Sequence, residues 1–185
     1  DRTTRVLCGD GAAATIVKES GRKKGIIDID LGSSGSGYNK FWIPAGGLRL
    51  PKSSSTSIEI EDDRGNIRTQ NDIEMDGFGV WSFINSVVPK QIEMFLKRNK
   101  VEKTDVDQFI FHQASKMTLE SIIRLMELNE EQVFMNIHNI GNTVSASIPI
   151  ALKDAINQDK IDIGSTLILS GFGVGLSYGA ILMEY

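Results

Sequence analysis

The sequence predicts an α/β domain, a mixed sheet with helices packed on it. Three observations predict it. Short apolar, β-rich runs alternate with segments of helical period. The last two β-rich runs are joined by the tight turn Phe172-Gly173-Val174-Gly175, which reads as a hairpin. A chain of 185 residues with 41% hydrophobic and 24% charged residues has the balance of a globular domain and is long enough to bury a real core.

The elements follow in order. Residues 5–8 and 12–18 are β-rich runs around Gly9-Asp10-Gly11, a turn in which the Asp10 carboxylate is expected to cap backbone N–H groups. Residues 20–24 supply the next turn. In residues 25–31, Ile27, Ile29 and Leu31 alternate with Asp28 and Asp30, a strand pattern. A glycine-serine loop follows at 31–37. Residues 44–57 are rich in Gly, Pro and Ser, and residues 61–72 are strongly polar, with one short β-like run at 57–60 before them. This stretch reads as excursion and lid rather than core. From Phe78 the period becomes helical through Val80, Phe83, Ile84, Val87, Ile92 and Phe95, with Pro89 expected to kink or split the helix because it lacks a donor N–H. Residues 109–111 are a strand. Leu119, Ile122, Ile123 and Met126 form one face of a helix that begins near Ser115, and residues 133–137 are a short strand. Residues 144–156 are a helix with Pro149 in an early turn, and Ser145, Ala146 and Ser147 let another backbone approach. Residues 166–170 and 176–184 are the closing strands.

Composition excludes several functions. A net charge of −4 argues against a nucleic-acid partner, which favours a basic face. One cysteine permits no internal disulfide and fits a reducing compartment. No apolar run reaches eighteen residues, so no membrane span is expected, and no signal-peptide pattern opens the chain. Two separated histidines without a cysteine pair make no metal-ligand set. His138 is expected at the surface or at a turn. The glycine runs do not bind a dinucleotide: Gly32-Ser33-Ser34-Gly35-Ser36-Gly37 has the wrong order, and Gly171, Gly173 and Gly175 precede a strand instead of a helix.

The chemistry concentrates at His112 and Asn142. His112 lies in FIFHQAS at the end of a buried strand, and Asn142 in NIGNTVSASIPIAL at the turn into a helix. An imidazole and a carboxamide presented from two such turns can both donate to one carbonyl oxygen, which suits a reaction that develops negative charge on a thioester oxygen. The imidazole must then be neutral, with its proton on the nitrogen facing substrate. The carboxamide keeps its charge state at all pH values. Each residue also has a plain alternative, a packed histidine at a strand end and an asparagine that caps a turn.

Four motifs in order, GDGA at 9–12, HQA at 112–114, GNT at 141–143 and GFG at 171–173, resemble the carboxy-terminal half of the β-ketoacyl-acyl-carrier-protein synthase III family of thiolase-like condensing enzymes. The resemblance runs from about Val6 to Tyr185. It implies a thiolase-like half-fold with a mixed five-stranded sheet, and 3-oxoacyl-acyl-carrier-protein synthase activity of the kind used in fatty-acid biosynthesis, a decarboxylative Claisen condensation of an acyl primer with a malonyl carrier thioester. His112 and Asn142 become the catalytic pair, and the backbone N–H of Val174 part of the oxyanion hole. Gly77, Trp81, Ala114 and Ser115 become substrate-binding positions. Lys116 and Arg124, on the helix after His112, are candidates for docking the acidic acyl carrier protein. Coenzyme A and acyl-carrier-protein thioesters are the implied substrates, with no metal or redox cofactor. A cytoplasmic homodimer is implied as well.

This sequence departs from the family in Ser115 and Phe78, where relatives often have Asn, and in Val174, where many have Gly. Nothing in it matches the segment with the family's nucleophilic Cys, since Cys8 lies in the run before Gly9. The chain therefore reads as a half-enzyme, truncated from a longer polypeptide and inactive alone. Two competing expectations stand beside this one. One is an acyltransferase or specialised-metabolism ketosynthase of the same fold. The other is a non-catalytic partner half.

Overall fold

The computed structural model describes residues 2–19, 25–62 and 65–185. Its elements in chain order are α1 (Arg2–Arg5), β1 (Gly25–Ser33), β2 (Phe41–Trp42), β3 (Ile60–Glu61), β4 (Ile67–Arg68), β5 (Glu74–Met75), α2 (Gly77–Asn99), β6 (Gln108–Phe111), α3 (Lys116–Met126), α4 (Ile137–Ile140), α5 (Ser147–Asn157), β7 (Thr166–Gly173) and β8 (Ser177–Glu184), with short 3-10 turns between them.

The main sheet is mixed, in the order β1-β8-β7-β6. β6 and β7 run parallel, while β8 is antiparallel to both β7 and β1. α2 and α3 pack on one face around Ile92, Phe95, Phe109, Leu119, Ile122 and Met126. α5 covers the other face through Ala151 and Ala155, which pack with Ile110 and Leu167. This is the α/β half-fold that the sequence predicts. The fifth strand is where they differ: residues 133–137 contribute one bridge, Phe109 to Val133, and the sheet has four strands among the described residues.

Other local expectations are revised. Pro89 neither splits nor interrupts α2, which runs 23 residues through it. Pro89 and its neighbours Val88, Gln91 and Ile92 are all buried, and that burial outweighs the lost hydrogen bond. Residues 5–8 are not a strand; α1 ends at Arg5, and only Cys8 forms a bridge, to Asn142. Residues 12–18 are exposed and form no ladder, because no neighbouring strand lies beside them among the described residues. Asp10 accepts no hydrogen bond among the described residues, and the turn is held by the Gly9 N–H donating to the Asn142 carbonyl at 2.9 Å. The turn expected at 20–24 lies outside the described residues. Two small antiparallel pairings frame the excursion, β2 with β5 at its base and β3 with β4 within it. Buried Thr56 hydrogen-bonds Ser53 and Asn71 within it.

Arg98 near the end of α2 grips β1: its Nη2 donates to Asp28 at 2.8 Å and its Nη1 to Asp30 at 2.9 Å. Hydrogen bonds from Asn99 and Arg98 hold the Asp28 carboxyl below its ordinary pKa. The polar side of β1 thus meets a helix. Its apolar side, Ile29 and Leu31, stays exposed and lines a cavity.

Candidate active site

β6 and β7 are parallel, so their carboxyl ends lie together and the residues just beyond them share one rim. His112 follows β6, and its N–H donates to the Ser170 carbonyl at 2.8 Å. β7 ends in Phe172 and Gly173 and continues into Val174. The Phe172 ring meets the imidazole edge-on with centroids 5.5 Å apart. A cavity of about 560 Å³ opens here, lined by His112, Asn142, Gly173 and Val174 and walled by apolar side chains of the sheet.

Asn142 reaches this cavity from another direction. Its N–H donates to the Leu7 carbonyl at 3.0 Å, so the chain before Gly9 and the chain after Gly141 fix each other. A Cβ at Gly9 would collide with the Ile140 carbonyl oxygen, which is why this crossing needs glycine. The carboxamide is oriented by partners that discriminate its two ends: Oδ1 accepts from the Val144 N–H at 2.9 Å, and Nδ2 donates to the Ala114 carbonyl at 3.1 Å. One amide N–H remains to serve a ligand. Val144 holds its side of this clamp at φ 52°, a left-handed conformation that costs a β-branched residue about 1–3 kcal/mol.

The imidazole is fixed as well. Its Nδ1 lies 2.6 Å from the Ser147 hydroxyl, at the start of α5. Burial holds the His112 pKa down to about 4, so the ring is neutral near pH 7. A neutral imidazole and an oriented carboxamide on one cavity wall form a two-donor site for an oxygen that gains negative charge.

The other expected positions are spread around this centre. Ala114 contributes its carbonyl to Asn142. Ser115 caps α3, accepting from the Thr118 N–H at 3.1 Å. Gly77 opens α2, and Trp81, one turn on, stacks with Phe78 at 6.3 Å. Gly77, Trp81, Ala114 and Ser115 do not line the cavity that holds His112, Asn142 and Val174. Lys116 and Arg124 are exposed on α3, Lys116 within 3.6 Å of Glu120. His138 is exposed on α4.

Two residues that matter to this geometry carry no functional signal in the sequence. Ser147 reads only as a small residue. Gln113, fully buried, donates to the Phe111 and Phe134 carbonyls and accepts from the Asn136 N–H, and so ties the end of β6 to the segment that leads to Asn142. Its place in the HQA motif is the one available hint.

Comparison with known proteins assigns the family. Residues 96–185 match the family described as 3-Oxoacyl-[acyl-carrier-protein (ACP)] synthase III C terminal, and residues 1–35 match 3-Oxoacyl-[acyl-carrier-protein (ACP)] synthase III. The chain belongs to the synthase III family. The beta-ketoacyl-[acyl-carrier-protein] synthase III of Clostridioides difficile is 36% identical over 185 residues, all of this chain and 53% of that protein. Its counterpart in Clostridium tetani is 35% identical, again over all of this chain and 54% of its own length. A crystal structure of a 3-oxoacyl-(acyl-carrier-protein) synthase III superposes with a TM-score of 0.93 at 32% identity, covering all of this chain and 55% of that one. The chain thus spans about half the length of the synthase III relatives it matches. The half-fold that carries His112 and Asn142 on one cavity is a synthase III half. No helix of the described residues is long and apolar enough to cross a membrane.

Proposed function

We propose that this chain supplies the His/Asn half of a decarboxylative condensing enzyme, a 3-oxoacyl-acyl-carrier-protein synthase III. The observation that carries this reading is the pairing of a neutral His112 with an oriented Asn142 on one cavity. A second half, bearing a nucleophilic Cys, completes the enzyme. There an acyl group passes from coenzyme A to the Cys sulfur, and coenzyme A leaves as the thiol. A malonyl thioester of the acyl carrier protein then enters. Its carboxylate carbon departs as carbon dioxide, and the electron pair of the broken bond moves onto the thioester oxygen as an enolate. His112 and Asn142 donate hydrogen bonds to that oxygen. The enolate carbon attacks the acyl-enzyme carbonyl, whose oxyanion the Val174 N–H receives, and collapse of this intermediate releases the Cys thiolate. The steps close without a metal or redox cofactor.

Gly77, Trp81, Ala114 and Ser115 border the approach of the pantetheine arm in this reading, and exposed Lys116 and Arg124 meet the acidic carrier. The enzyme works as a cytoplasmic homodimer. Lost binding of one oxyanion-type donor costs about 3–4 kcal/mol, or on the order of 10²–10³ in rate. In the complete enzyme, His112→Ala is therefore expected to abolish malonyl-thioester decarboxylation at that scale. Acylation of the Cys, followed by intact mass with a panel of acyl-coenzyme A thioesters, persists. Decarboxylation that survives the substitution would overturn the reading, and so would an enzyme that takes no acyl increment.

A further inference from the structure

Ser147 is fully buried, yet it belongs to the first turn of α5 and faces the end of β6. Its Oγ has two neighbours there, the imidazole Nδ1 of His112 at 2.6 Å and the backbone N–H of Gln113 at 3.4 Å. The Gln113 N–H can only donate. The Ser147 hydroxyl proton needs an acceptor, because an unpaired buried hydroxyl costs about 1–3 kcal/mol. No other acceptor reaches Oγ among the described residues, so the proton points to Nδ1.

We infer that Ser147 is a positioning residue that sets the tautomer of His112. Its hydroxyl donates to Nδ1, which leaves the ring proton on Nε2, the nitrogen free to serve the cavity. A neutral imidazole has one donor and one acceptor nitrogen, and the hydrogen bond at one decides the role of the other. The order of partners, Gln113 N–H to Ser147 Oγ–H to His112 Nδ1, makes the ring a donor toward substrate. The depressed pKa of His112 agrees with a ring held neutral. The ring also meets Phe172 edge-on, so the hydroxyl is one of two contacts that orient the imidazole.

This inference rests on the proposed reaction for its consequence but not for its first test. Two-bond proton–nitrogen correlation spectra of the complete enzyme, labelled with ¹⁵N-histidine and assigned through His112→Gln, read the tautomer without turnover. A protonated Nε2 with an unprotonated, hydrogen-bonded Nδ1 is expected, and a protonated Nδ1 would overturn the assignment. Ser147→Ala is expected to shift the Nδ1 resonance. It is also expected to lower malonyl decarboxylation about tenfold, the value of one ordinary hydrogen bond, with acylation of the Cys retained at a temperature where the variant stays folded. Ser147→Thr keeps the hydroxyl and is expected to restore both signals. An Nδ1 resonance and a rate that both ignore Ser147→Ala would sink the proposal. If His112→Ala itself leaves decarboxylation intact, the reaction assignment fails, while the spectra still decide the tautomer.

Discussion

Residues 2–76 and residues 77–185 belong to one chain but solve different problems. Among the buried hydrophobic residues of the described part of the chain, Ala45 alone precedes Phe83. The earlier region leaves Val6, Ile16, Val17, Leu31 and Leu48 strongly exposed, while the later one buries side chains on both faces of β6 and β7. The chemistry follows the same division. His112, Asn142, Ser147 and Val174 all stand on the region that closes its own core. The earlier region reaches the site through the Leu7 and Gly9 backbone and through the β1 wall of the cavity. Groups that must hold a hydrogen bond to within a few tenths of an ångström are carried by elements that do not depend on later packing.

The largest expected effect tests that division directly. Phe109 is fully buried on β6, stacked on Phe111 at 5.9 Å, and Leu48 is fully exposed. Phe109→Ala is expected to cost about 3–5 kcal/mol in urea denaturation, while Leu48→Ala stays within about 0.5 kcal/mol. Comparable losses at both positions would mean that the earlier region has a core of its own.

Gly9→Ala probes the junction between the regions that lies beside Asn142. The new Cβ collides with the Ile140 carbonyl oxygen, and overpacking of this kind costs about 1–3 kcal/mol. The strain falls on the Leu7–Asn142–Gly9 pairing, so the Asn142 amide is expected to move. Decarboxylation by the complete enzyme should drop about tenfold, from the loss of one well-placed hydrogen bond. A melting curve recorded beside the rate separates displacement from unfolding. An unchanged rate would show that Asn142 is held by Val144 and Ala114 alone.

The later region was also the more legible one. Helical spacing from Phe78 and the apolar face of Leu119, Ile122, Ile123 and Met126 match α2 and α3 because both helices bury those faces within the chain. His112 and Asn142, which line one cavity, lie in sequence motifs, HQA after β6 and GNT after α4. Failures cluster where the partner of a segment is not beside it. Residues 12–18 have strand composition but no neighbouring strand among the described residues. The alternation in β1 is real, yet Ile29 and Leu31 face an open cavity while Asp28 and Asp30 meet Arg98, the reverse of a simple inside–outside reading. Ser147 was invisible for another reason. A serine in a helix has no pattern to betray that its hydroxyl meets an imidazole 35 residues away in sequence.

The smallest expected effect concerns pH, and it shows whether the cavity behaves as part of the packed region. The folded His112 pKa of about 4 lies below the unfolded value of 6.5 because burial disfavours the imidazolium. The unfolded chain therefore takes up this proton first as pH falls. The contribution of His112 to stability is intact above pH 6.5, declines through the interval and is gone below about 4. Activity follows the neutral ring. At pH 5 a group with a pKa of about 4 is still about nine-tenths neutral, whereas one at 6.5 would be only about 3% neutral. The decarboxylation kcat is expected to change by no more than about a tenth between pH 7 and 5, then to fall with a midpoint near 4. A midpoint near 6.5 would mean that water reaches His112 as freely as it reaches the exposed side chains of residues 2–76, and the contrast between the two regions would not extend to the site.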